Sequence, residues 1–545
     1  MLLITRILGW FMILTLYWAM DWLNFVQVLK TALLGSLSIL ALSSWTLRDG
    51  QENRTGRFLN LLVVFSFLAI CGFNAFLRDV FGVAQDDLIV VEALFNTNSG
   101  EASEFILQNI WLLSKHLTVV MLAAVFYWFW MVWPPSLFRK SSGALTADSR
   151  AKVRTNRMPA VIFTVLLLLV HLNPTMRKED PFLYFPIRHA KWERYVERAR
   201  VLQGKIASSV STDSSLAGMT YTGSGARTVV FSLGESVTRL NWSLYGYPRP
   251  TTPALESLGA RLVRFTDVIT TLGSTVGDIR LIMGPATGAR PDLYVTTPDI
   301  ITIARMTGYK TFWITNHSTD MTGALSIIAN HADVTINVNR GGSRGEGSHD
   351  EVILPELEKA LDDPAPRKLI ILHLLQAHPA YYFRYPKSFA RFNNADDEVT
   401  KMLRLQKRSL RARKMRDYYD NALLYSDHIL KTTIDLCDAR KEQDIAWLYV
   451  PDHGEDVAHY SNFVGHNTRV PAMFEIPMLF WMSDQFPLDL PDSRILVDRP
   501  YQTDLLDHTL LGLMGIEGDY YDPARDILSK EFEPSERLIR EKPYR

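Results

Sequence analysis

The stretch WLYVPDHGEDVAHY, Trp447 to Tyr460, runs from an apolar, strand-like sequence straight into Asp452, His453, Glu455, Asp456 and His459. Ligands of open α/β sheets sit outside the carboxyl ends of the strands. If this strand belongs to such a sheet, other strands should end in polar chemistry too. TVVFSL (228–233) ends in Gly234, Glu235 and Ser236, and KLIILHLL (368–375) ends in Gln376, Ala377 and His378. From about residue 226, short β-branched runs alternate with helical segments, the pattern of a mostly parallel central sheet covered by helices on both faces. The three strand ends predict Glu235, His378, Asp452 and His453 on one rim. Carboxylate oxygens and imidazole nitrogens in this combination suit a hard or borderline dication. Cys71 and Cys437 are the only cysteines, so neither a disulfide framework nor a Cys-type zinc site can be built. Zinc is the first choice for the ion, with manganese or magnesium second. Each end also has a plainer reading. Glu235 can be the neighbour of a helix N-cap, and Asp-His-Gly can be a turn in which Gly454 supplies a positive φ. Glu455 and Asp456 read as groups behind the site or in solvent.

A chain of 545 residues leaves room for two or three domains. Lys plus Arg and Asp plus Glu are equal at 58 each, so no overall field recruits nucleic acid or another polyanion. Five apolar stretches before residue 175 approach the roughly 20 residues that a membrane helix needs: 4–20, 25–45, 59–77, 110–133 and 158–173. A cleaved signal peptide would account for the first and leave four unexplained. Arg48, Arg54 and Arg57 lie in the loop 46–58, and Arg139, Lys140, Arg150, Lys152, Arg154 and Arg157 in the loop 134–157. The loop 78–109 carries one Arg against Asp79, Asp86, Asp87, Glu92, Glu101 and Glu104. Basic loops stay on the cytoplasmic side, so five spans with the N-terminus inside deliver the rest of the chain to the outer face. The expected organisation is a five-span membrane domain (1–175), an interfacial helix and linker (176–225) and a soluble domain (226–545). The helix is read from LYFPIRHAKWERYVERARVLQGK (183–205), which an ordinary surface helix would also fit. The linker is read from the Ser-, Thr- and Gly-rich sequence after it.

GESVTRLNWSLYGYPRPTTPALESL (234–258), GYKTFWITN (308–316), HLLQAHPAYYFRYP (373–386) and YVPDHGED (449–456) together resemble the bacterial phosphoethanolamine transferases. The resemblance covers nearly the whole chain, including the five spans. It implies an inner-membrane enzyme with a periplasmic domain of the alkaline phosphatase and sulfatase type. DDPAPRKLIILHLL, RPDLYVTTP and NTNSGEASE look most like the branch that modifies heptose of the lipopolysaccharide core. The lipid A branch carries several disulfides, which this chain cannot form. The resemblance places the metal on Glu235, the nucleophile Thr275, Asp452 and His453. Thr251 and Thr252 in PRPTTP, and Thr270, Thr271 and Ser274 nearer by, compete for the role given to Thr275. His378 matches a family histidine near the transferred group, and His466 in VGHNTRVP matches the other, with His459 as its alternative. Thr97 and Glu101 match two family contacts to the donor headgroup. The Asn expected before them falls on Ala93, for which Asn96 or Asn98 could substitute.

The implied reaction moves phosphoethanolamine from phosphatidylethanolamine to a sugar or lipid hydroxyl, through an adduct on Thr275 at a single zinc ion. His378 or His466 would serve as general base. The implied partners are the donor lipid, a lipopolysaccharide acceptor and the bilayer, and the enzyme is expected to be a monomer. The Cys/Ser-x-Pro-x-Arg motif needed for sulfate-ester cleavage does not occur. A phosphoglycerol transferase is the main enzymatic rival. A degenerate scaffold would show a broken ligand set. GSTVGD (273–278) lacks the Lys of a phosphate-binding P-loop, and NRGGSRGEGSHD (339–350) reads as a surface loop.

Overall fold

Along three neighbouring strands the side chains alternate between two apolar layers. Val229, Phe231 and Leu233 enter one layer with Leu369, Ile371, Ala446, Leu448 and Val450. Val230 enters the other with Ile370, Leu372, Ile445, Trp447 and Tyr449. Both faces of the sheet are therefore covered, and this is why these strands read as unbroken apolar runs. The computed structural model describes residues 2–48, 51–81, 99–133, 157–209, 218–290, 293, 297–317, 324–339, 349–394 and 396–544. They form two compact units, one built mainly from residues 1–79 and 109–194 and the other mainly from 195–545.

The sheet contains β1 (Arg227–Gly234), β2 (Val263–Phe265), β3 (Lys310–Thr315), β4 (Val334–Asn337), β5 (Arg367–His373), β6 (Ile445–Pro451) and β7 (Met478–Met482), in the order β2-β7-β6-β1-β5-β3-β4. Pairing is parallel from β6 across to β4, and β7 runs antiparallel to both of its neighbours. The expected mostly parallel sheet is thus present with one reversed strand. Pro451 pairs with Gly234, and Leu233 with His373, so the chain leaves β6, β1 and β5 at one level on one rim. Within the stretch read as a linker, Thr220–Tyr221 pairs antiparallel with Ile516–Glu517.

In the other unit all five apolar stretches are helical: α1 (Leu2–Ala19), α2 (Phe25–Thr46), α3 (Arg54–Phe81), α5 (Ile110–Val132) and α6 (Met158–His171); α4 (Ser99–Gln108), between α3 and α5 in the chain, is grouped with the unit of the sheet. Residues 25–46, 54–80 and 110–132 are long and apolar enough to cross a membrane, and the first and last helices are apolar but shorter. Small residues let the helices approach: a Cβ at Gly35 would meet the indole of Trp10 at 2.6 Å, and one at Gly9 would meet that of Trp130 at 2.6 Å. Leu8, Leu16, Leu117, Leu122, Leu168 and Leu169 face outward, the reverse of a water-soluble bundle. A final helix, α7 (Tyr184–Ser209), covers the segment read as interfacial, and its first residue donates from Tyr184 OH to Asn74 Oδ1 at 2.5 Å.

The PRPTTP segment has a structural role. Arg249, 1 % exposed, reaches Asp397 and Asp417 at 2.8 Å and Asp420 at 2.7 Å, tying the loop after β1 to helix α8 (Leu410–Asp438). Removing the cation would strand buried carboxylates. Arg249→Met is expected to destabilise the soluble unit by about 3–5 kcal/mol, read as a lowered urea midpoint. An unchanged midpoint would contradict the assignment.

Candidate active site and metal centre

Glu235 and Asp452 follow the adjacent strands β1 and β6, and both are fully buried. Their turns are built for close approach. A Cβ at Gly234 would collide with the Gln376 amide oxygen and lie 2.8 Å from the Tyr449 hydroxyl. At Gly454 it would overlap the Ala472 carbonyl. Gly454 does not adopt a positive φ, so the Asp-His-Gly sequence reflects backbone contact rather than turn geometry. Ser236 does sit at φ +58°, a strained conformation for a residue with a side chain. It is held there by its N–H to Asp452 Oδ1 (3.1 Å) and its Oγ to Glu235 Oε1 (2.7 Å).

Four sequence-predicted groups converge. Thr275 Oγ1 lies 3.2 and 3.3 Å from the two Glu235 oxygens and 3.3 Å from His453 Nε2. His453 Nε2 is 3.4 Å from Asp452 Oδ2 and 3.6 Å from Glu235 Oε1. Ligands at zinc's usual 2.0–2.1 Å form a tetrahedron with edges of about 3.3 Å, so the spacing fits such an ion. Two further observations agree. His453 Nδ1 is 2.7 Å from the Gly454 carbonyl; it must therefore carry the proton, which leaves the Nε2 lone pair for the cluster. Asp452 Oδ1 accepts from the Ser236 and His453 amides, while Oδ2 is buried without a hydrogen-bond partner. Burial first, and then the Asp452 carboxylate, push the Glu235 carboxyl well above its ordinary range, as expected for adjacent acids lacking a cation.

The four threonines that compete with Thr275 are engaged elsewhere. Thr251 donates to Asn241 O and Thr270 to Asp452 O, Thr271 accepts from Gln502, and Thr252 lies 2.9 Å from Ser243 Oγ. Thr275 opens the helix Thr275–Ile282 behind Ser274. The turn before it is fixed by the Asp278 carboxylate, which accepts from the amides of Thr271, Leu272 and Ser274.

The histidines divide. A ligand atom of His466 lies within 4.8 Å of those of Glu235 and His453, and His466 Nδ1 is 3.1 Å from Glu455 Oε2. Glu455 Oε1 in turn accepts from Tyr381 OH at 2.6 Å. His459 is committed to the scaffold, its Nε2 2.7 Å from Asn241 Oδ1 and its Nδ1 accepting from the Val457 amide. His378 belongs to neither His/carboxylate group among the described residues. It stands edge-on to His317, ring centres 5.9 Å apart, and burial holds its imidazole well below the usual range. Glu455 and Asp456, read as lying behind the site or in solvent, are fully buried, which rules out the second. Thr97, Ala93, Asn96 and Asn98 lie outside the described residues. Glu101 falls in α4, and its side chain is outside them too.

Sequence reasoning missed His317 and His373, which group with Glu235. Their rings stack at 3.9 Å and 5°, so their in-plane lone pairs run parallel instead of converging on an ion. His317 Nε2 is also engaged by the Leu374 carbonyl at 2.9 Å. The available signal was position, since both follow or end parallel strands, but His373 was hidden inside the apolar run KLIILHLL.

The sulfatase family model matches residues 227–516. The chain belongs to that family. Phosphoethanolamine transferase EptC of Escherichia coli K12 is 34% identical over 330 residues, 58% of this chain and 56% of that protein. The chain therefore spans a little over half the length of this curated relative. The crystal structure of the C-terminal periplasmic domain of E. coli EptC, in complex with Zn, superposes with a TM-score of 0.55 at 33% identity, over 59% of this chain and 91% of that one. The integral membrane protein lipooligosaccharide phosphoethanolamine transferase A from Neisseria meningitidis superposes with a TM-score of 0.64 at 18% identity, over 96% and 97%. The fold is accordingly that of a membrane helical domain followed by an alkaline phosphatase-like domain.

Two measurements probe this geometry. Zn2+ is expected to raise the thermal midpoint of metal-stripped protein, by mass action on the folded state, and Asp452→Asn should remove most of that rise; equal responses would argue against the cluster. Burial, and then Arg416, lower the His459 pKa to about 4, against about 6.5 when unfolded. The neutral ring's contribution is then complete above pH 6.5 and lost as pH falls towards 4, about 3 kcal/mol in all. His459→Gln should flatten this acid limb of the stability profile; an unaltered limb would place the effect elsewhere.

Proposed function

We propose that this chain is a phosphoethanolamine transferase of the bacterial inner membrane, multi-pass, with its catalytic unit in the periplasm. The donor is phosphatidylethanolamine, and the favoured acceptor is a heptose hydroxyl of the lipopolysaccharide core. The observation that carries the reading is the Thr275 hydroxyl, set against Glu235 and His453 within 3.3 Å. Glu235, Thr275, Asp452 and His453 would hold one zinc ion. When bound, the ion would supply charge stabilisation for phosphoryl oxygens and lower the proton affinity of the Thr275 hydroxyl.

Thr275 Oγ1 attacks the donor phosphorus in line, forming a P–Oγ1 bond as the bond to the diacylglycerol oxygen breaks. The threonine gives up its proton, and the diacylglycerol alkoxide takes one up. In the second half-reaction His466 or His378 accepts the proton of the incoming hydroxyl, the acceptor oxygen bonds to phosphorus as the P–Oγ1 bond breaks, and the Thr275 oxygen regains a proton. His466 is the better placed of the two, because Glu455 faces its Nδ1 and would stabilise a proton gained at the other nitrogen. Thr97 and Glu101 are assigned to the donor headgroup by resemblance. A monomer suffices, since every group named belongs to one chain.

Mass spectrometry of zinc-loaded enzyme incubated with phosphatidylethanolamine and no acceptor is expected to find phosphoethanolamine on the peptide containing Thr275. Thr275→Ala should abolish the adduct and lower turnover by at least about a thousandfold. An intact donor and an unmodified Thr275 peptide would sink the donor assignment, and the same incubation with phosphatidylglycerol would then test the phosphoglycerol reading.

A further inference from the structure

Residues 401–416 carry Lys401, Arg404, Lys407, Arg408, Arg411, Arg413, Lys414 and Arg416 and no acid. Two of these point inward. Arg408 donates to the Ala458 and His459 carbonyls at 3.1 and 2.9 Å, and Arg416 to the Val457 carbonyl at 2.6 Å. With the Ser409 amide bonded to Asn462 Oδ1 at 2.7 Å, they fasten the turn between Glu398–Leu405 and α8 to the loop that follows Asp452 and His453. Lys401, Arg404, Lys407 and Lys414 are exposed, and so are apolar side chains between them. Leu405 is 84% exposed, Leu410 67% and Met402 39%, and Tyr460 of the adjoining loop is 48% exposed. Among the described residues after 218, the exposed large hydrophobics are these four with Met306 and Ile495. Four of six therefore lie on the Glu398–Leu405 helix, at the start of α8 or in the adjoining loop that follows Asp452 and His453, where the four exposed cations outnumber the exposed acids Asp396, which pairs with Lys401 at 3.6 Å, and Glu398.

Val399 and Leu403 already bury the inner side of the short helix, so Met402 and Leu405 are not needed by the fold. Exposed leucine among lysine and arginine is the composition of a surface that inserts shallowly into lipid. We propose that this face docks on an anionic lipid surface, its apolar side chains entering the headgroup boundary and its cations meeting headgroup phosphates. The charge argues against a second copy of this chain, because a two-fold contact would bring the same positive face against itself. In a lipid-to-lipid transferase the face would hold phosphate-bearing acceptor lipid beside the catalytic rim; that last step rests on the function proposed above.

The test uses the full chain reconstituted in vesicles of phosphatidylcholine, alone or with about one-third phosphatidylglycerol. Cys71 and Cys437 are buried, so Leu405→Cys accepts an environment-sensitive fluorophore selectively. The expected result is blue-shifted emission, quenched from the lipid phase, in the anionic vesicles only. Lys401→Gln with Arg404→Gln and Lys407→Gln should weaken this contact by about a hundredfold, at roughly fivefold per cation, and high salt should mimic the variant. Emission that stays water-like in both vesicles, or that ignores the triple substitution, overturns the proposal. The probe needs no turnover. Lipid contact without a Thr275 adduct would leave the surface standing and remove the chemistry, whereas an adduct with a water-exposed probe would do the reverse.

Discussion

Two like charges buried side by side set the terms for the soluble unit. Glu235 and Asp452 emerge from adjacent parallel strands with no exposure to water, and carboxylates so placed repel each other in a medium that screens poorly. A dication would convert that repulsion into binding, and the surrounding parts are arranged to aim oxygen and nitrogen atoms at one point. Ser236 is held in a strained turn, two glycines let backbone and amide groups come close, and the Gly454 carbonyl selects the tautomer of His453. Thr275 is brought in from a different element, a helix whose preceding turn is cast by Asp278.

Behind the rim, helix α8 acts as a brace. Tyr419 donates to the Ser236 carbonyl at 2.8 Å, and Arg416 grips the Val457 carbonyl. From the same helix, Asp420 bonds Asn241 at 2.6 Å, and Asn241 meets His459. Arg249 closes this network against three carboxylates. Such a web is costly to break at any one point, so the loop from Asp452 to His466 is held in place although it has little regular secondary structure. Rigidity there suits the proposed transfer, which would need a hydroxyl and an imidazole held in register with a phosphorus atom.

The two units answer different solvents with the same chemistry. In the helical unit, apolar side chains face outward and small residues mediate contact, while Arg6 and Asn60 both donate to the Ser43 hydroxyl, at 2.7 and 3.0 Å, as polar groups among apolar helices must. In the soluble unit the large apolar residues turn inward, except Met306, Ile495 and those on the basic face beside the active-site loop. The lipid substrates proposed above would give a reason for both arrangements in one chain.

Composition and periodicity determined much of this protein. Apolar runs of span length, the alternation of short strands with helices, and acids or histidines at strand ends follow from local sequence, because backbone hydrogen bonding and burial impose their periods residue by residue. The motif resemblance extended that reading to Thr275 and His466, which no period marks. What only tertiary structure decided was convergence. Thr270, Thr271 and Thr275 are near neighbours in the chain, yet Thr275 is the one whose hydroxyl meets Glu235 and His453, because the fold has tied Thr270 and Thr271 to different partners. Only resemblance favoured His466 over His459 in the sequence, and pairing to Asn241 or to Glu455 separates them. His373 read as one more strand residue, and the conformation of Gly454 could not be told from its neighbours. Each of these depends on contacts between segments far apart in the chain, and such contacts exist only once the sheet has brought its strand ends to one rim.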